Sequence, residues 1–216
     1  MEYIFRFLRD LRNNNSKDWM DEHRDRYETA KERWIEEVEK ILERLSEHDS
    51  RLAKLDASDT IERINNNLLY HPEKPTYKDH FGCEPGSVKK QGVIYISVGP
   101  SSSFIGGGLH NPDKKILDQV RKAIDERGEK LQEIIDSDNI QEYFNGLSSD
   151  PKKLKTAPQG YDKGHEHIEL LRRKNFTVMK QLTEDEVTGS HFIDLVEEAY
   201  LKMKPLNDFL TEAVST

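Results

Sequence analysis

At 216 residues the chain is long enough for one well-packed domain, and a second is not required. Its 41 acidic and 33 basic residues leave a net charge of −8 and a pI near 5.6, which argues against broad affinity for nucleic acid or an anionic membrane. A single cysteine, Cys83, excludes an internal disulfide and a cysteine-built metal site. No apolar run reaches the length of a membrane span or a secretory signal, so the expected compartment is the cytoplasm.

The first fifty residues read as helix. Asn13-Asn14-Asn15-Ser16 breaks the opening turns, and Asn15 or Ser16 caps the next helical stretch. Beyond it Ile35, Val38, Ile41, Leu42 and Leu45 form one apolar stripe, with Trp19, Tyr27 and Trp34 upstream, so a long amphipathic helix is expected. Residues 60–67 read as a short strand, and 70–91, rich in proline and glycine, as an irregular loop. Val93–Val98 alternates as a strand, with Ile94, Ile96 and Val98 on one face. Ser103-Phe104-Ile105 returns beside it as a hairpin.

Further on, Asn111 and Pro112 open a predicted helix over 111–127, with Gly128 interrupting it before Leu131. A loop over 146–164 leads to a short helix at Glu166–Arg173 and a strand at Phe176–Met179. Thr183-Glu184-Asp185-Glu186 is a capping box, and a closing helix over 192–203 is expected to end or kink at Pro205. Helices at both ends of a central strand block predict one α+β domain over 1–216, its antiparallel sheet flanked by the N- and C-terminal helices.

Four segments in order, FLRDLRNNNSKDWMDEHRDRY, RINNNLLYHPEKPTYKDHFG, FIGGGLHNP and APQGYDKGHEHIELLRRKNF, resemble the DUF2461 family of bacterial and fungal proteins over roughly residues 5–210. The resemblance implies a domain and supplies no reaction. Family members typically read Arg-Ile-x-Arg-Asp-x-Arg-Phe and then Lys-Ser/Thr-Pro-Tyr-Lys in the second segment. Here Arg63, Lys74, Tyr77 and Lys78 remain, but Asn66, Asn67 and Leu69 stand where the family has Arg, Asp and Arg. A charged cluster typical of the family is thereby partly neutralised.

The candidate site is set by local charge. Lys152, Lys153, Lys155, Lys163, Arg172, Arg173, Lys174 and Lys180 oppose only Asp162, Glu166 and Glu169 across 151–180, an excess of five positive charges in an acidic chain. In the middle segment Arg63, Lys74 and Lys78 are expected to hold a small phosphate- or carboxylate-bearing ligand, with Tyr77 orienting it. Lys155, His165 and Lys174 close the pocket. Gly107 and Gly108 either let two backbones approach or admit the anion at a helix start, and approach is the preferred reading. Against the pocket stands local pairing of Arg63 and Lys78 with Glu62, Glu73 and Asp79.

A non-catalytic protein-interaction or structural module is the alternative. A metal-dependent hydrolase at His165 and His167 is the weakest reading, because two residues apart on a helix point away from each other. The sequence names no catalytic residues and leaves enzymatic activity open; no resident metal, cofactor, nucleic-acid partner or membrane partner is expected, and Cys83 reads as a buried thiol.

Overall fold

The computed structural model describes residues 1–85 and 94–215. Among these residues it has nine helices and a four-stranded antiparallel sheet, 53% helical and 12% strand, which is the α+β class expected. Val93 and the 86–91 end of the predicted loop lie outside the described residues. The chain sorts into two compact units, one holding 1–85, 95–105 and 181–198, the other 94, 106–180 and 199–215. The sheet has the strand order β1-β2-β3-β4.

In the first unit, α1 (Glu2–Asn13) buries Ile4, Phe5, Phe7, Leu8 and Leu11. Ser16 caps α2 (Lys17–Glu22), its hydroxyl accepting the Trp19 N–H at 3.2 Å. The expected long helix breaks once more at His23 (φ −117°, ψ 28°), and α3 (Arg24–Ser46) begins there. Its buried stripe is Ala30, Trp34, Val38, Ile41, Leu42 and Leu45; Trp34 takes the core position, which leaves Ile35 half-buried. Asp56 caps α4 (Ala57–Thr60) by accepting the Ser58 N–H at 2.8 Å.

Strand β1 (Phe81–Cys83) lies inside the stretch expected to be irregular. It pairs antiparallel with β2 (Tyr95–Val98), Phe81 opposite Val98 and Cys83 opposite Ile96. The strand expected at 60–67 reduces to two isolated bridges, Ile61 with Cys83 and Asn65 with Tyr77. Three consecutive asparagines favour turns over a ladder. The Thr183–Glu186 capping box forms as expected and opens α8 (Glu184–Thr188).

Strand β3 (Ser103–Leu109) begins in the first unit and continues into the second. The glycine run therefore belongs to the strand itself rather than to the turn after it. In the second unit β3 borders β4 (Phe176–Leu182). Helix α5 (Lys114–Asp136) is capped by Asp113, whose carboxylate accepts the Ile116 N–H at 2.9 Å. Asn111, the expected cap, instead sits at φ +46°, a left-handed conformation incompatible with the extended backbone of an N-cap. Arg127 (φ −151°, ψ 37°) interrupts α5, one residue before the expected break at Gly128.

α6 (Asp138–Phe144) ends on Asn145 at φ +58°, and α7 (Ile168–Leu171) is a single turn. The last helix, α9 (Phe192–Val214), runs through Pro205 rather than ending there. Pro205 has no N–H to bond the Leu201 carbonyl, and the helix is continuous across that missing bond.

Candidate functional site

The middle segment of the first unit folds back on itself as an irregular hairpin. Lys78 N–H donates to the Ile64 carbonyl (2.7 Å), Asn66 N–H to Thr76 (3.0 Å), Glu62 N–H to Gly82 (2.8 Å) and Glu84 N–H to Thr60 (2.9 Å). Asn15 clamps the returning arm with both ends of its amide, accepting the Tyr77 N–H and donating to the Tyr77 carbonyl, each at 2.9 Å. The Asn66 side chain donates to the Pro75 carbonyl at 2.8 Å, so a position that carries Arg in typical family members here closes the hairpin. Two turns form the tip, Tyr70 N–H to Asn67 and Lys74 N–H to His71.

At the hairpin base, strand alternation sorts the side chains by chemistry. Phe81 and Cys83 face the core with Val98 and Ile96, whereas Gly82, Tyr95 and Ser97 use the other face of β1 and β2. Over Gly82 the Lys78 ammonium donates to Glu62 Oε2 at 2.6 Å. A β-carbon on Gly82 would lie 2.8 Å from Tyr95 Oη and 3.1 Å from Glu62 Oε2, so the missing side chain is what lets phenol and carboxylate rest on the strand. The pair is partly open to solvent, with Lys78 21% and Glu62 34% exposed.

The surrounding groups are electrostatically perturbed. Burial, then the Glu62 charge and its hydrogen bond, pushes the Tyr95 phenol up, so it stays protonated and donates to Glu62. Burial and the neighbouring Glu62 likewise push Glu84 up from the ordinary carboxylate range. His80 is pushed down by burial and then by the Lys78 charge, which keeps it neutral. Cys83 lies underneath, fully buried, its thiol pushed up by burial and unsuited to act as a nucleophile. A cluster of this kind, with several titratable groups displaced together, is where functional sites concentrate.

The residues expected to form the anion pocket fall in both units. In the first unit Lys78 is matched to Glu62, Arg63 and Lys74 are exposed, and Tyr77 is buried and held through its backbone by Asn15. The other five lie in the second unit. Gly107 and Gly108 are strand residues, and Gly108 at φ +100° lies against the Phe176 backbone. Lys155 is exposed, while Lys174 donates its backbone N–H to Asp150 at 2.6 Å.

His165 is fully engaged. Its Nδ1 accepts the His167 N–H at 3.0 Å, which puts the ring proton on Nε2, 2.9 Å from Asp125 Oδ1. Asp125, Gly128 and Arg121 share one face of α5 and all meet the 161–171 segment: His167 lies over Gly128, and Arg121 Nε donates to the Leu171 carbonyl at 3.1 Å. The histidine motif thus fastens a loop to a helix. Among the described residues no three His, Cys, Asp or Glu side chains group around a common metal position.

Three of the eight cations over 151–180 are bonded nearby. Lys153 and Arg172 both pair with Glu169, and Arg173 donates to the Ser148 and Asn175 carbonyls. Asp150 gathers the N–H groups of Lys152, Lys174 and Asn175 and the Asn175 amide. Burial opposes its charge, but these four donors outweigh burial and hold its carboxyl below the usual range. A depressed folded pKa contributes stability above about pH 4 that is lost as pH falls through the folded value. Asp150→Asn is therefore expected to be less stable than the wild type at neutral pH, with the gap in Tm narrowing on acidification below about pH 4. A gap unchanged from pH 7 to 3 would refute the carboxylate's role.

Sequence reasoning missed Glu62 as anything but a local counter-ion, and missed Tyr95 and Glu84 altogether. The usable signal was the strand alternation itself, because placing Ile94, Ile96 and Val98 on one face sends Tyr95 to the other.

Comparison with known proteins adds a family and no chemistry. No curated protein and no solved structure matches the chain. The family model described as "Conserved hypothetical protein (DUF2461)" matches residues 3–209, almost the whole length, and the chain belongs to the DUF2461 family.

Proposed function

We propose that the chain binds a small polar molecule bearing an amine or guanidinium group at the Glu62–Tyr95–Glu84 cluster. The observation that carries this reading is that Glu62 and Glu84 both act on Tyr95, with Lys78 the one ammonium bonded there among the described residues. The sign departs from the anionic guest expected from the sequence, because Lys78 is already neutralised by Glu62. A protonated amine would offset the burial and the Glu62 repulsion that together raise Glu84, and would replace hydration with charge-assisted hydrogen bonds. Neutral His80 and protonated Tyr95 supply a donor and acceptors for the remainder of such a guest.

The test is a thermal-shift and calorimetric series of small amines and guanidines against phosphate and carboxylates. Amine-bearing compounds are expected to raise Tm in the wild type and to lose about tenfold or more in affinity in Glu84→Gln, as for removal of a charged hydrogen bond. Stabilisation by phosphate that disappears in Lys78→Ala would instead favour an anionic guest. No response to either class would favour the reading as an interaction module.

A further inference from the structure

We infer that the amine taken by this site carries an apolar body, alkyl or aryl, that lies across Tyr95 onto Phe104. The inference rests on the amine reading of the Glu62–Tyr95–Glu84 cluster and names the rest of the guest. Tyr95 is the pivot. Its hydroxyl reaches over Gly82 of β1 beside Glu62, while its ring meets the Phe104 ring of β3 at a centroid separation of 5.5 Å and a tilt of 33°. Strand β2 lies between β1 and β3, so carboxylate and phenyl ring flank one phenol from opposite sides. Ser103 and Ile105 are buried on either side of Phe104, and strand alternation therefore turns Phe104 to the face that carries Gly82 and Tyr95. Both rings are only half-buried on that face, where a guest can reach them.

The two ends ask for different chemistry. Glu62 fixes an ammonium through charge-assisted hydrogen bonds, whereas the Tyr95 and Phe104 rings offer apolar area that favours hydrocarbon. Two strand spacings, on the order of 10 Å, separate Gly82 from Phe104. Methylamine satisfies the first end alone. Butylamine or phenethylamine reaches from the carboxylate onto the rings, and an aryl group there has the offset or edge-on contacts that aromatic pairs prefer. A second ammonium at the far end of the guest would lose hydration against the rings with no carboxylate to replace it, so a diamine of the same length fits less well.

The test is calorimetric titration of the full chain with methylamine, butylamine, phenethylamine and diaminobutane. Butylamine and phenethylamine are expected to bind roughly tenfold or more tighter than methylamine, since each methylene taken fully out of water is worth about fourfold. Phe104→Ala is expected to bring both down towards methylamine. Phe104→Leu, which keeps an apolar side chain in the strand, is expected to retain the butylamine gain. Equal affinity for methylamine and phenethylamine would overturn the inference and leave the amine reading standing. So would a gain that survives in Phe104→Ala, or diaminobutane binding as tightly as butylamine. Failure of every amine to bind, methylamine included, would overturn the amine reading and this inference with it.

Discussion

Replacing Gly108 with alanine is expected to destabilise the protein by about 3 kcal/mol or more, combining a left-handed backbone with a steric overlap. Gly108 sits at φ +100°, where a β-carbon strains the backbone wherever it points. Here it would also overlap the Phe176 carbonyl and lie 3.0 Å from Thr177 Cα, and backbone in β4 cannot rotate aside as a side chain can. Thermal unfolding followed by circular dichroism is expected to show Tm lowered by roughly 10 °C. Gly164→Ala is the control, since its β-carbon would meet only the movable Asp162 carboxylate at 3.1 Å. If Gly108→Ala matched that control, the glycine run would not be explained by close strand approach.

The second large effect reverses an ordinary sign. Glycine in a helix costs about 1 kcal/mol relative to alanine, so Gly128→Ala would normally stabilise α5. In this chain the new methyl would lie 2.6 Å from His167 Cγ and 2.8 Å from Nε2, inside a ring that is only 15% exposed. Crowding of that kind costs about 1–3 kcal/mol, and the net change is expected to be destabilising. Removing the ring with His167→Ala in the Gly128→Ala background is expected to recover most of the loss. A double-mutant cycle measures this directly, because the two residues touch and their effects are non-additive. Additive effects, or a stabilised Gly128→Ala, would show that the ring is not seated on the helix.

These two glycines illustrate how much of the molecule was legible. Local grammar was read well where one residue's chemistry satisfies its neighbour's backbone: Ser16 and Thr183 cap as expected, and Val38, Ile41, Leu42 and Leu45 of the α3 stripe are buried. It was read less well where conformation was decided from outside the segment. Asn111 has a good cap's side chain, yet its backbone is taken left-handed while its N–H donates to Asn175 Oδ1 at 2.7 Å, so Asp113 caps instead. Proline at 205 was expected to end or kink the closing helix, which continues through it.

The candidate site shows the same division more sharply. Lys78 and Glu62 are both visible in the sequence as charges, but their partnership spans sixteen residues and depends on the hairpin returning in register. The cations counted over 151–180 looked like a surplus, and three of the eight are held, Lys153 and Arg172 by one shared carboxylate and Arg173 by carbonyls. Composition cannot distinguish a free charge from a paired one, since pairing is a matter of distance.

By itself the sequence determined the family, the α+β class, and the caps of α2 and α8, because propensity, capping and periodicity act over a few residues. Only the tertiary structure decided which ionisable groups meet, that Tyr95 joins Glu62 over Gly82, and that the tip of the hairpin is left in water. Those outcomes depend on through-space separations of a few ångströms between segments far apart in the chain, and Coulomb and hydrogen-bond energies respond to those separations rather than to residue order.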